Sequence, residues 1–122
     1  MPDKIDQIDD TNIQSTPELS VVVPVHNEAG NIEPLMAEVI AALDGIELFE
    51  IIYIDDCSRD GTPEKLVALN RKIESLRVLT HEKQSGQSAA IRTGVMAARG
   101  RLIATLDGDG QNDPADIPKL LK

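Results

Sequence analysis

Two carboxylates one glycine apart, Asp107-Gly108-Asp109, close a largely apolar run, Leu102-Ile103-Ala104-Thr105-Leu106. The run reads as a buried strand. Alternate residues of an extended segment point the same way, so both acids can face one pocket. Like charges that close repel unless a cation lies between them. Oxygen donors of this kind suit Mg²⁺ or Mn²⁺, with a substrate's phosphates completing the shell. Taken alone, the same pattern also describes an acidic turn after a strand.

Two further polar clusters follow apolar runs. His26-Asn27-Glu28 comes after Leu19–Val25, and Asp55-Asp56 comes after Phe49–Ile54. In open α/β sheets ligands bind beyond the carboxyl ends of the strands. Three such clusters along one edge point to a site more strongly than any one of them. Each also has a structural reading. Glu28 can favour a helix N-terminus, Asp55 and Asp56 can be turn acids, and Asp60-Gly61 is turn chemistry. His26 can be a structural hydrogen-bonder, Cys57 an inert thiol, and Lys83 and Arg92 solvated cations.

The elements that must position these clusters alternate. Leu19–Val25 is a first strand, expected to end at Pro24, which cannot donate to a ladder. Asn31 is placed to cap a helix with Pro34 in its first turn and Ile32, Leu35, Met36, Val39, Ile40 and Leu43 on its apolar face; Gly45 ends it. After the second strand, Thr62 is placed to cap a helix that has Pro63 at its first position. Leu76–Thr80 is a third strand. A helix from near Gly86 carries small residues and closes at Gly100, and Leu102–Leu106 is the fourth strand. Asp113 can cap a last helix from Pro114. The order βαβαβαβα implies an α/β fold, a mostly parallel sheet of about four strands with helices on both faces. Residues 1–17 read as a flexible acidic tail and 18–122 as one domain.

Composition bounds the rest. The 122 residues suit one modest domain. A net charge of -9 argues against nucleic-acid binding, and aromatics at 2% leave the core to aliphatic side chains. The single cysteine, Cys57, permits no internal disulfide, as expected of a reducing, cytoplasmic setting. No apolar run approaches the ~20 residues of a membrane span. No G-x-x-x-x-G-K-[ST] loop or G-x-G-x-x-G turn is present, so any phosphates are not cradled by those devices.

The set Val22-Val23-Pro24-Val25-His26-Asn27-Glu28, Asp55-Asp56-Cys57-Ser58-Arg59-Asp60-Gly61-Thr62 and Asp107-Gly108-Asp109-Gly110-Gln111 resembles family-2 glycosyltransferases of the GT-A fold, nearest the dolichyl-phosphate mannose synthase-like branch. Gly86, Ala90, Gly94, Ala98 and Gly100 match that family's small-residue spacing, and the likeness runs over residues 19–122, the nucleotide-binding half of such enzymes. It implies that Pro24, His26 and Glu28 line the base and ribose of a nucleotide, with Asp55 and Asp56 at the base. Asp107 would serve ribose or metal water, and Asp109 and Gln111 would ligate Mg²⁺ or Mn²⁺. It implies inverting transfer from a UDP- or GDP-linked sugar to a polyprenyl-phosphate or glycan acceptor, at the cytoplasmic face of a membrane. The chain departs from the pattern at His26, Gln84 and Arg101, which leaves the donor base and sugar open. A homo-oligomer is expected if the sheet edge is bare. The alternatives are a non-catalytic nucleotide-binding or assembly module, and a receiver-like signalling domain built on an acidic pocket.

Overall fold

The structure, a computed structural model, describes residues 16–107 together with Pro114. The acidic tail up to residue 15, Asp109, Gln111 and the residues after Pro114 in the expected last helix lie outside the described residues.

Seven elements follow one another: β1 (Leu19–Val25), α1 (Ala29–Ala42), β2 (Phe49–Asp55), α2 (Thr62–Lys72), β3 (Leu76–Thr80), α3 (Gln87–Ala97) and β4 (Leu102–Thr105). The strands form one sheet in the order β3-β2-β1-β4, and every pairing is parallel. The chain steps from β1 outward to β3, then returns past β1 to lay down β4. Right-handed crossovers taken in opposite directions put their helices on opposite faces. Accordingly α1 and α2 cover one face and α3 the other. Leu19, Val21, Val23, Val25, Ile51 and Tyr53 pack with Ile32, Leu35, Met36, Val39 and Leu66. Val22, Ile52 and Ile54 pack with Ala90 on the far side. All seven residues of β1 are buried, as the unbroken β-branched run demands of a central parallel strand.

Several local expectations are corrected. Strand β1 does not end at Pro24, which pairs with Ile54 inside the β1–β2 ladder. Val25 turns its carbonyl to β2, where it accepts from Asp56 N, whereas Val22 turns its carbonyl to β4, where it accepts from Leu106 N. Pro24 shares the orientation of Val22, and β4 pairs only as far as Val22, so its missing N–H removes no ladder bond. Helix α1 starts at Ala29, not after Asn31, and Pro34 therefore lies in its second turn. The Asn31 amide donates to Glu28 Oε1 at 3.3 Å and does not cap the helix. Thr62 is the first residue of α2 and makes no cap; Asp60 Oδ1 instead accepts from Thr62 N at 2.9 Å. Helix α1 ends at Ala42, three residues before Gly45, and α3 at Ala97. Gly100 serves a close approach: a Cβ there would stand 2.6 Å from both Ser20 N and Ser20 Oγ. The strand β4 stops at Thr105, one residue short of Leu106.

At the amino end of the sheet, away from the acidic loops, sits a buried polar bolt. Glu50 is 5% exposed. Its Oε2 accepts from Ser20 Oγ at 2.6 Å and from Arg99 N at 2.6 Å, and its Oε1 accepts from Arg77 Nη1 at 2.9 Å. Arg77 also donates to Ala97 O at 2.9 Å, and Gly100 N donates to Ser20 Oγ at 2.8 Å. This network joins β1, β2, β3 and the exit of α3. Burial by itself raises the Glu50 carboxyl, but the Ser20, Arg99 and Arg77 donors and the Arg77 charge outweigh it and hold the group below its ordinary value.

Candidate functional site

The reversal of strand order between β1 and β4 opens a crevice at the carboxyl ends of those strands, where a doubly wound sheet binds ligands. A cleft of about 270 Å³ lies there, lined by Pro24, Val25, His26, Glu28, Asp56, Gln84, Gly86, Gln87, Ala90 and Asp107. Five residues singled out from the sequence, namely Pro24, His26, Glu28, Asp56 and Asp107, thus meet in one cavity. Asp55 does not line it. That residue is 1% exposed, and its Oδ1 accepts from Ser58 N at 2.9 Å, which is turn chemistry.

The loop after β1 is held by the loop after β2. His26 Nδ1 donates to the Asp56 carbonyl at 2.8 Å, which leaves Nε2 to accept from the Asn27 amide at 3.2 Å. Asn27 takes φ 54°, a left-handed conformation that asparagine tolerates. Its N–H donates to Ser58 Oγ at 2.9 Å, and its Oδ1 accepts from Arg59 N at 2.8 Å. Glu28 N donates to Thr62 Oγ1 at 3.0 Å, and Ala29 N to Asp60 Oδ2 at 3.2 Å. The hydroxyl of Thr62 thus holds the backbone that carries Glu28. This wiring explains why the run from Asp55 to Thr62 is rich in short polar side chains.

Asp56 is held from three sides in the cleft. It is 3% exposed. Its Oδ1 accepts from Ser85 N at 2.8 Å and faces His81 Nδ1 at 2.9 Å, and its Oδ2 accepts from Gly86 N at 2.8 Å. Burial would raise this carboxyl. The His81, Ser85 and Gly86 hydrogen bonds, with the His81 charge, prevail and hold it below its ordinary value. Asp107 stands opposite, at the exit of β4, with Oδ1 accepting from Gln87 Nε2 at 2.7 Å.

Sequence reasoning did not foresee His81, nor that Gln87 and Gly86 would line the cleft. The available signal was the topology itself: among the described residues α3 is the helix on the β4 side of the sheet, and it points its first residues at the switch point. Among the described residues no group of three His, Cys, Asp or Glu side chains gathers in the manner of a closed metal site. Asp107 supplies hard oxygen at the mouth of an open cleft. That donor chemistry fits a Mg²⁺ or Mn²⁺ ion held by one or two carboxylates while phosphates and water fill the remaining positions. Among the described residues no helix is long and apolar enough to cross a membrane.

Comparison with known proteins agrees with this fold. The family model for glycosyl transferase family 2 matches residues 20–122. The dodecaprenyl-phosphate galacturonate synthase of Rhizobium johnstonii is 44% identical over 108 residues, covering 85% of this chain and 31% of that protein. The dolichol-phosphate mannosyltransferase of Saccharomyces cerevisiae is 33% identical over 107 residues, covering 86% of this chain and 40% of its own length. The chain therefore spans about a third of the length of the curated relatives it matches. Among solved structures, a mannosyltransferase of Pyrobaculum calidifontis in complex with GDP-Man and Mn²⁺ superposes with a TM-score of 0.69 at 27% identity, covering 76% of this chain and 28% of that one. S. aureus TarS in complex with UDP gives 0.67 at 29% identity, covering 75% and 27%. The chain belongs to glycosyl transferase family 2.

Proposed function

We propose that this chain is the donor-binding half of an inverting, metal-assisted glycosyltransferase. It takes a UDP- or GDP-linked sugar and serves transfer to a polyprenyl-phosphate acceptor at the cytoplasmic face of a membrane. The observation that carries the reading is the meeting of Pro24, His26, Glu28, Asp56 and Asp107 in one cleft at the switch point of a family-2 sheet. The names of the curated relatives support the acceptor class, and the ligands of the solved neighbours support the donor class.

In this reading the loops after β1 and β2 receive the nucleoside. Pro24 and His26 give one wall, and Glu28, oriented through Thr62, offers a carboxylate to the ribose hydroxyls. Asp56 sits at the base edge. Its three protein donors leave lone-pair capacity for one ring N–H, which favours uracil or guanine over adenine. Asp107, with Asp109 and Gln111 as the family resemblance implies, would hold the cation. A divalent ion there supplies Lewis acidity to the leaving nucleoside diphosphate. The acceptor oxygen of a polyprenyl phosphate is already anionic, so strong general-base help is not required of this half. No observation favours a receiver-like domain, since β3 ends at Thr80, is followed by His81 and offers no lone aspartate.

The test is base preference. Titration of UDP, GDP and ADP in the presence of Mn²⁺ is expected to show saturable binding of UDP or GDP and much weaker binding of ADP. Equal affinity for all three, or for none, contradicts the assignment.

A further inference from the structure

We propose that Gln87 is a positioning residue for Asp107: its side-chain amide fixes the orientation of that carboxylate before any ligand arrives. The inference rests on the reading of Asp107 as part of the cation and diphosphate site, and it adds a residue to which no role was assigned above.

The geometry shows why Gln87 can do this. It is the first residue of α3, and its backbone is held from several sides. Gly86, at φ 97°, makes a turn that a side-chain-bearing residue rarely adopts. Its N–H is held by Asp56 Oδ2 at 2.8 Å, and the preceding Ser85 N–H by Asp56 Oδ1 at 2.8 Å. The Gly86 carbonyl accepts from Ala90 N at 3.0 Å, closing the first helical turn. Farther along, Ala90 is buried and Gly94 lies so close to Val22 and Ile54 that a Cβ would collide with both. The helix is therefore seated close against the sheet at both points. From this fixed origin the Gln87 amide reaches Oδ1 of Asp107 at 2.7 Å, twenty residues on. A strut of three residues, Ser85 to Gln87, thus connects Asp56, just after β2, with Asp107, two residues after β4.

The chemistry of the donor matters as much as its place. A carboxylate that must meet a cation gains from a fixed rotamer, because orientation is then not lost on binding. A lysine or arginine in the same place would fix Asp107 equally well, yet it would cancel the negative charge that attracts the metal. A primary amide orients the carboxylate and leaves its charge in place.

The experiment uses Gln87→Met, which keeps the length and removes the donor, together with Asp107→Ala and the double variant. Calorimetry of UDP and GDP with Mn²⁺ is expected to show affinity about threefold to tenfold weaker for Gln87→Met than for wild type, the scale of one charge-assisted hydrogen bond. In the Asp107→Ala background the same change is expected to have no further effect, since the residue acts only through Asp107. An equal loss in both backgrounds overturns the proposal, because Gln87 then acts on the ligand or on the fold directly. NMR of the ligand-free, metal-free chain provides the independent reading. The Gln87 side-chain amide is expected to be shifted and slow to exchange in wild type and to become like an exposed glutamine in Asp107→Ala. Identical amide signals in the two proteins overturn the pairing whether or not a nucleotide binds. If wild type binds neither nucleotide, the donor-site reading fails, and the amide signals alone decide whether Gln87 orders Asp107.

Discussion

The Asp56 carboxylate and the His81 ring meet at 2.9 Å, joining the end of β2 to the end of β3 beneath the cleft. The other ring nitrogen of His81 faces Thr93 Oγ1 at 2.8 Å, and that hydroxyl donates to Ala89 O at 3.0 Å. Both ring nitrogens are thus placed to donate, one to β2 and one to α3. Asp56 is accordingly a structural acid as well as a candidate base contact. Its oxygens order Ser85 and Gly86, the segment that leads α3 into the site.

Asp56→Asn is expected to weaken UDP or GDP binding by ~1–3 kcal/mol, the scale of a lost charge-assisted hydrogen bond. The amide also presents an N–H where Ser85 N, Gly86 N or His81 already donates, so the thermal midpoint is expected to fall as well. His81→Ala separates the two roles. It should lower the midpoint and loosen the loop, with a smaller loss of nucleotide affinity than Asp56→Asn. Nucleotide calorimetry and thermal unfolding on both variants check this. Unchanged affinity in Asp56→Asn removes Asp56 from the site.

Acid should unfold this protein in a range set by the two clamped carboxyls. Glu50 and Asp56 are held below ordinary values of 4.5 and 3.8. The unfolded chain binds more protons there, so their stabilisation is complete above those values and is lost as pH falls through the folded ones. Glu50→Gln should cost ~1–3 kcal/mol at neutral pH, because Ser20, Arg77 and Arg99 lose a charged acceptor. It should also flatten the decline in stability below pH 4.5. Denaturant unfolding of both proteins across pH measures the effect. Parallel curves would show that Glu50 carries none of the acid sensitivity.

The outer edge of β4 bears on association. Leu102 and Ile103 are 43% and 40% exposed, and Met96 on the neighbouring helix is 80% exposed. An exposed apolar edge strand offers unpaired backbone to another chain. The 122-residue chain is therefore expected to self-associate, and Ile103→Lys should suppress it. Light scattering over a concentration series tests this, and a strict monomer at every concentration contradicts it.

Much of the fold was legible because its signals are local. The β-branched run Val21-Val22-Val23 and the spacing of Ile32, Leu35, Met36 and Val39 state their periods directly. The caps were less legible. Asn31 and Thr62 are good cap residues by type, but their side chains were taken up by Glu28, one as donor and one as acceptor. That choice depends on two loops meeting, which no local window contains. Pro24 misled for a related reason, since whether a missing N–H matters depends on which neighbour the strand turns it toward. The site's acids were visible as clusters after strands. The bolt around Glu50 was not, because Ser20, Glu50, Arg77 and Arg99 lie far apart in the chain and resemble ordinary surface residues.

The most direct test of the account concerns Asp109, which the sequence pattern places beside Asp107. A nucleotide diphosphate brought to a chain of net charge -9 meets two carboxylates, and a divalent cation reverses the sign of that encounter. Calorimetry of UDP and GDP on wild type and Asp109→Ala, each with and without Mn²⁺, measures it. The account predicts tight binding only for wild type with Mn²⁺, its loss on chelation, and a folded Asp109→Ala that no longer responds to metal. Equal affinity in all four conditions would contradict the metal-assisted donor site and the transferase mechanism built on it.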